Sequence, residues 1–339
     1  MSVSRRGFVA AATGLGALLA LAACGGEPAS APAASAANAA QTSAAVTPFS
    51  YTDDRGKKID LPKTPTRIVA QVGSAAALWD FGVRPIAVFG PHKLENGKTD
   101  PQVGNVDITK VQGLGNVWDE FNVEQYIGLQ PELLVSSMYL KDDLWYVPAK
   151  SKDTIEKVAP TAGVMLTGRN ATEVITKYGE LAAKLGANLE APEITQAKTR
   201  YEAALAELEK LAAKGLKIEL VSGSPDAMYV STPEMVPDFK LLSDAGLDIV
   251  KPKVDAQGYF EPLSWENADK YEADVVLFDS RTQALGLEEM RKKPTFAKLP
   301  AVAKGQVYPM WVETPYSYQK WADQLEELVA NLQKASKLP

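Results

Sequence analysis

Arginine, tyrosine and tryptophan, rather than histidine or cysteine, carry whatever chemistry this chain can do. Its 339 residues include 6 Trp and 12 Tyr but a single His, His92, and a single Cys, Cys24. Arginine presents a charged fork of donors, tyrosine a hydroxyl on an apolar ring, and tryptophan a broad apolar face. Such groups hold a ligand; by themselves they make and break no bonds. The candidates are Tyr139, Trp145, Arg169 at the end of "GVMLTGR", Tyr229 in "AMYVS", Arg281, and Trp311, Tyr316 and Tyr318 of "MWVETPYSY". Each ring has the ordinary alternative of a place in the core. Arg169 has the alternative of a surface position just ahead of a helix starting near Thr172.

The motifs of catalysis are missing. "GLGNVW" (113–118) lacks the third glycine of a dinucleotide fingerprint, and "VSGSPD" lacks the glycine that must follow a nucleophile-elbow serine. No Walker loop, HExxH or CxxC occurs. The reading is therefore a non-enzyme, with a lipid-anchored hydrolase built on scattered carboxylates as the catalytic alternative and an adhesive surface lipoprotein as a third class. A formal net charge of -6, with no basic cluster interleaved with aromatics, argues against nucleic acid.

Side chains of this kind need a scaffold. From Arg67 short apolar runs alternate with amphipathic stretches (RIVAQ, SAAALWDFG, PIAVFG, NVEQYIGL, ELLVSS), which predicts α/β layering with mainly parallel strands. A second series runs from KIELVSG through DFKLLSDAG, LDIV, SWENADKY and DVVLFDS to QVYPMWV. Between them, Ile194, Tyr201, Leu205, Leu208 and Ala212 fall on helical spacing with no Gly or Pro among them. The expectation is an N-terminal lobe over 48–190, one linking helix over 191–214 and a C-terminal lobe over 215–339, with a ligand cleft between the lobes.

The two series also match in detail. "NVEQYIGLQPELLVSSMY" (122–139) and "SWENADKYEADVVLFDSR" (264–281) both place a cap-type residue two before a glutamate and an acid eight after it. Glu124 thus aligns with Glu266, Glu132 with Asp274, and Tyr139 with Arg281. Ligands of open α/β sheets collect beyond the carboxyl ends of the strands, where Tyr139 and Arg281 fall.

Taken together, "DDRGKKIDLPKTPTRIVA", the glutamates in helix-opening turns, "QPELLVSS", "EADVVLFDS" and the linking helix resemble the substrate-binding lipoproteins of iron-siderophore ABC importers, the helical-hinge class III periplasmic-binding-protein family. The resemblance runs from about Phe49 to the end. It implies a monomeric receptor whose lobes clamp a ferric chelate, with one surface glutamate per lobe docking on a permease that works with its ATPase. By position those glutamates are Glu124 and Glu266; the bland reading of both is helix-start chemistry, since the helix dipole favours acids there.

A ferric hydroxamate already has six chelator oxygens on its iron, so a protein site must supply outer donors and aromatic walls, not metal ligands or a cofactor. The donor and ring inventory above fits that need. Zinc or manganese capture normally takes several histidines. Direct ferric capture through Tyr316 and Tyr318, or a heme or corrinoid with His92 or Tyr139 as axial ligand, are the competing ligand readings.

The N-terminus supplies an address. Arg5 and Arg6 precede an apolar run from Phe8 to Ala23 that is shorter than the roughly twenty residues a spanning helix needs. Residues 1–23 read as a signal peptide of twin-arginine type, and Leu21-Ala22-Ala23-Cys24 resembles a bacterial lipobox that leaves Cys24 lipidated. Residues 24–47, rich in Ala, Ser and Pro, read as a disordered tether reaching roughly 70 Å. The expected location is the extracytoplasmic face of the cell membrane.

Overall fold

The computed structural model describes residues 47–254 and 258–339; the expected signal peptide, Cys24 and nearly all of the expected tether lie outside the described residues. The elements follow in order: β1 (Phe49–Thr52), β2 (Lys58–Leu61), β3 (Ile68–Gln71), α1 (Val72–Asp80), β4 (Ala87–Phe89), β5 (Gln112–Gly113), α2 (Val123–Gly128), β6 (Leu133–Met138), α3 (Lys152–Val158), β7 (Thr161–Met165), α4 (Ala171–Lys184) and α5 (Pro192–Leu211). The second half continues with β8 (Lys217–Gly223), β9 (Ala227–Ser231), α6 (Pro237–Asp244), β10 (Asp248–Ile249), β11 (Phe260–Ser264), β12 (Val275–Asp279), α7 (Leu287–Met290), α8 (Pro294–Lys298), α9 (Pro300–Ala303), β13 (Val307–Met310) and α10 (Tyr318–Lys334).

The N-terminal lobe is built on a five-stranded sheet in the order β5-β4-β3-β6-β7, parallel throughout. Its central strands are continuous apolar or small runs, buried along their whole length, because helices cover both faces. The free edge at β7 is closed by the β1–β2 hairpin. Gly163 N–H donates to Asp53 Oδ2 at 3.0 Å, Asp54 N–H to the Gly163 carbonyl at 3.2 Å, and Met165 N–H to Asp54 Oδ2 at 2.8 Å. Arg55 locks the turn by donating to Asp53 and to the Thr161 carbonyl. The "DDRG" segment is thus an edge cap that occupies ladder groups otherwise open to another chain.

The C-terminal sheet keeps this plan and departs from it once. β10, β12 and β13 run parallel to their neighbours, whereas β9 and β11 are antiparallel additions in the order β11-β9-β8-β12-β13. The cause is local: Ser224-Pro225-Asp226 makes a tight turn in which Ser224 and Ala227 bond each other, so β8 folds back instead of passing into a helix. The "VSGSPD" stretch is a hairpin turn.

The lobes repeat particular features. Glu132 N–H donates to the Arg67 carbonyl, and its Oε2 accepts from Arg67 N–H at 3.1 Å. Asp274 N–H donates to the Lys217 carbonyl, and its Oδ2 accepts from Lys217 N–H at 2.8 Å. Each acid ties the start of its strand to the start of a parallel neighbour, β6 to β3 and β12 to β8. The helix ends match too: Gly82 (φ 94°) closes α1 and Gly246 (φ 87°) closes α6, left-handed positions where glycine costs least. Beside this, the second helix opening is reduced to a single 3₁₀ turn over Trp265–Asn267, in which Ser264 Oγ accepts from the Asn267 side chain instead of capping the turn.

The linking helix α5 begins with proline in its first turn and buries Ile194, Ala197, Tyr201, Ala204 and Leu208; Leu205 and Ala212 are only partly buried. It is not the sole bridge. α10 lies along it, with Arg200 paired to Glu326 and Asp323, and the α10 N-cap Ser317 donates to Asp80 of α1 at 2.5 Å. One continuous core cluster includes Leu78, Val174 and Tyr178 of the first lobe with Phe239, Leu242 and Trp321 of the second half.

Candidate functional site

A cavity of about 540 Å³ opens at the carboxyl ends of β6, β8 and β12. The N-terminal lobe contributes Tyr139, Leu140 and Trp145; the C-terminal lobe contributes Phe239, Tyr259 and Phe260 as further apolar walls. The charged residues on the wall are Asp279, Arg281 and Glu313.

Tyr139 is the residue after β6. Its carbonyl accepts from Thr167 Oγ1 at 2.8 Å, and its hydroxyl donates to Glu313 Oε1 at 2.7 Å. Burial, reinforced by the Glu313 carboxylate, raises the phenol well above its ordinary pKa, so the hydroxyl stays protonated and remains a donor. The Trp145 ring stands edge to face on Tyr139 at 4.8 Å between centroids, positioned because Trp145 N–H donates to the Ser137 carbonyl and Ser136 Oγ donates to the Trp145 carbonyl.

Arg281 holds the equivalent place after β12. Asp279 makes an Asx turn onto the Arg281 N–H at 3.0 Å and receives its guanidinium at 2.8 Å, with Ser222 Oγ donating to the same carboxylate at 3.1 Å. From the other side Arg281 reaches Glu313 Oε2 at 3.3 Å. Burial opposes the charge, but Glu313 and Asp279 outweigh it and raise the guanidinium above its ordinary value.

Glu313 joins the two halves, accepting from Tyr139, from Arg281 and from Gln102 Nε2 at 3.2 Å. It takes a left-handed backbone (φ 62°), a conformation that costs a side-chain-bearing residue energy and is often found where geometry serves a site. Behind it Asp238 is fully buried, bonded to the Tyr316 hydroxyl at 2.8 Å and to Thr314 N–H at 3.3 Å. Burial pushes this carboxyl up to about 7, the Tyr316 bond opposing the shift.

Of the candidates read from the sequence, Tyr139, Trp145 and Arg281 come together on the cavity wall. Tyr229 touches two lining residues without lining the cavity itself, paired in register with Ser222 and 6.1 Å from the Phe260 ring. The other four do not line it either. Arg169 is forked onto Asp54, where it secures the edge-capping hairpin. Tyr316 lies a layer deeper against Asp238, beside a separate cavity of about 20 Å³ that Tyr139 and Glu313 also border. Tyr318 opens α10 and packs on Phe81 and Tyr201. Trp311 faces a different cavity, of about 160 Å³, with Gln324 and Leu328. For Arg169, Tyr316 and Tyr318 a core or structural partner claimed the side chain. His92 is buried as well, its Nδ1 2.9 Å from the Gly90 carbonyl and its ring against Gly113.

Sequence reasoning missed Glu313, Asp279, Phe239 and Phe260. Asp279 was within reach, because an acid two residues before Arg281 at a strand end is an Asx-turn signature. Glu313 carried no such mark. Glu124 and Glu266 are both exposed, Glu124 in the first turn of α2 and Glu266 in the 3₁₀ turn that follows β11.

The comparisons with known proteins agree with this architecture. A family model described as "Periplasmic binding protein" matches residues 70–311. The crystal structure of DesE, a ferric-siderophore receptor protein from Streptomyces coelicolor, is 38% identical, covers 86% of this chain and 100% of its own, and superposes with a TM-score of 0.82. FhuD2 from Staphylococcus aureus with bound ferrioxamine B shares the fold at 18% identity, covering 80% of this chain and 100% of its own with a TM-score of 0.56. The Fe(3+)-citrate-binding protein YfmC of Bacillus subtilis is 23% identical over 261 residues, 76% of each chain. With the family match running from the first strand of one sheet past the last strand of the other, the chain belongs to the periplasmic binding protein family.

Proposed function

We propose that this protein is a lipid-anchored extracytoplasmic receptor that captures a ferric siderophore of hydroxamate type and delivers it to an ABC permease. The observation that carries this reading is the Tyr139–Glu313–Arg281–Asp279 array set into an aromatic cavity wall. The chelator supplies the six oxygens around the iron, so the protein meets only its outer surface: partly negative hydroxamate oxygens and methylene arms. Arg281, which has more N–H groups than its two carboxylate partners use, is the donor for the oxygens, while Tyr139, whose hydroxyl proton is given to Glu313, joins Trp145, Phe239 and Phe260 as a wall for the arms.

Charge supports the hydroxamate class. Two carboxylates and one guanidinium leave the wall with one formal negative charge. A neutral or cationic trishydroxamate fits such a wall, while a ferric triscatecholate or ferric citrate, both anionic, meets repulsion strengthened by the low-dielectric surroundings. The description of DesE as a ferric-siderophore receptor supports the siderophore part of this reading.

Delivery is assigned to Glu124 and Glu266, one per lobe at matched positions, and membrane attachment to Cys24 through the tether. Exposed carboxylates facing arginines orient a complex and speed encounter more than they tighten it. Replacing both glutamates with alanine is expected to leave ligand titrations unchanged and to abolish iron uptake by cells; uptake at the wild-type rate would remove the docking assignment. The binding reading itself is tested by tryptophan fluorescence, with Trp145 as the reporter, against ferrioxamines, ferrichromes, triscatecholates, ferric citrate, heme and ferric ion. Saturable quenching by the hydroxamates is expected. A response to heme alone, or to free ferric ion alone, overturns it.

A further inference from the structure

The large apolar side chains most open to water among the described residues are Val117 (60% exposed), Trp118 (55%), Leu140 (59%) and Ile127 (47%). Two of them reach the cavity. Leu140 is itself part of the wall. The Trp118 ring stands 4.7 Å from Trp145 and 5.1 Å from Tyr146, and Trp145 in turn stands 4.8 Å from Tyr139. A run of edge-to-face rings therefore leads from solvent to the donor array without a break.

The loop that presents Trp118 is firmly built. Asn116 Oδ1 accepts from His92 N–H at 3.0 Å and Lys93 N–H at 2.8 Å, and its amide donates to the Lys93 carbonyl at 2.8 Å. Glu120 Oε2 accepts from Asn116 N–H at 2.6 Å and Val117 N–H at 3.2 Å, and Lys150 pairs with Asp119 at 2.7 Å. Gly115 passes so near the Glu120 carbonyl that a Cβ there would stand 2.2 Å from its oxygen. This much local order holds a tryptophan and a valine in water, which hydrophobic burial alone would not select.

We infer that Trp118, with Leu140, forms an outer subsite at the cleft mouth that takes an apolar appendage of the ligand, an alkyl or acyl arm outside the iron-chelating core. This rests on the siderophore reading and adds a second determinant to it. The donor array recognises the chelate, whereas the ring run recognises what hangs from it. A ligand arm is favoured over a permease surface because the patch is continuous with the cavity wall through Trp145.

The test uses N-acyl derivatives of ferrioxamine B, from acetyl through butanoyl to hexanoyl, titrated calorimetrically into the full mature protein. All are uncharged at the acylated end, so only chain length varies. The wild type is expected to bind more tightly as the chain lengthens, by up to roughly fourfold for each methylene buried. Trp118→Ala is expected to abolish that dependence, and Trp118→Phe, which keeps a ring, to restore part of it. Binding of all three with equal affinity by the wild type overturns the subsite and leaves the siderophore reading standing; no binding of any hydroxamate overturns both. A Trp118→Ala protein that keeps the chain-length dependence but loses uptake overturns the subsite in favour of permease contact.

Discussion

Arg281→Ala will weaken capture of a neutral ferric trishydroxamate on the order of 100-fold, the usual scale for truncating one partner of a desolvated charge pair. Asp279 and Glu313 share this guanidinium. Its removal takes away the charged donor and leaves two carboxylates facing the space where chelator oxygens must lie. Glu313→Gln makes the reciprocal case. It keeps an acceptor for the Tyr139 hydroxyl while bringing the formal charge of the wall to zero, so relative affinity for an anionic ferric citrate or triscatecholate should rise about tenfold. Calorimetric titration of both variants against one neutral and one anionic chelate, with circular dichroism to confirm folding, checks the pair. Unchanged affinity in Arg281→Ala would exclude the array as the binding site.

The second large effect concerns stability. Glu219 lies on β8 beside Val276 of β12, is 1% exposed, and its Oε1 finds no hydrogen-bond partner among the described residues. Burial, opposed weakly by Lys217, pushes its carboxyl up from 4.5 to about 8. The folded state therefore holds a proton there that the unfolded chain releases near its ordinary value. Between these two values the native protein binds more protons, so its stability falls as pH rises from about 4.5 to about 8. At pH 7 this amounts to about 3 kcal/mol. Glu219→Met, of similar volume and without the carboxyl, should recover most of that and raise Tm by about 5 °C at pH 7. Thermal unfolding of both proteins at pH 5 and pH 8 is decisive: the wild type should lose stability across the interval and the variant should lose less. Asp238, pushed up to about 7 by its own burial, adds a component of the same sign that the variant retains.

Much of the architecture was legible because the interior strands are buried on both faces and so read as unbroken apolar runs; RIVAQ, ELLVSS and DVVLFDS became β3, β6 and β12. The repeat was legible for a further reason. Glu132 and Asp274 perform the same backbone tie, and such a role fixes an acid at a fixed offset from its strand. That offset carried Tyr139 and Arg281 to the cleft. Arg169 looked equivalent by type, but nothing near it in sequence announces Asp54, 115 residues earlier, which claims it. The tyrosines of "PYSY" lie off the cavity wall for a like reason, since an aromatic residue is drawn to whichever apolar or acidic partner the fold brings, and here those were Asp238, Phe81 and Tyr201.

Local sequence by itself determined the strands, the linking helix, the doubled plan and the two residues at matching strand ends, because periodicity, glycine stops and strand-end acids act over a few residues. Only the tertiary structure decided the rest: the antiparallel strands β9 and β11 that widen the second sheet, the second bridge through α10, and Glu313. That carboxylate reaches Tyr139 across 174 residues of chain and depends on a left-handed backbone that no residue type there signals. A site made by closing one half of a chain on the other takes its charge balance from that closure.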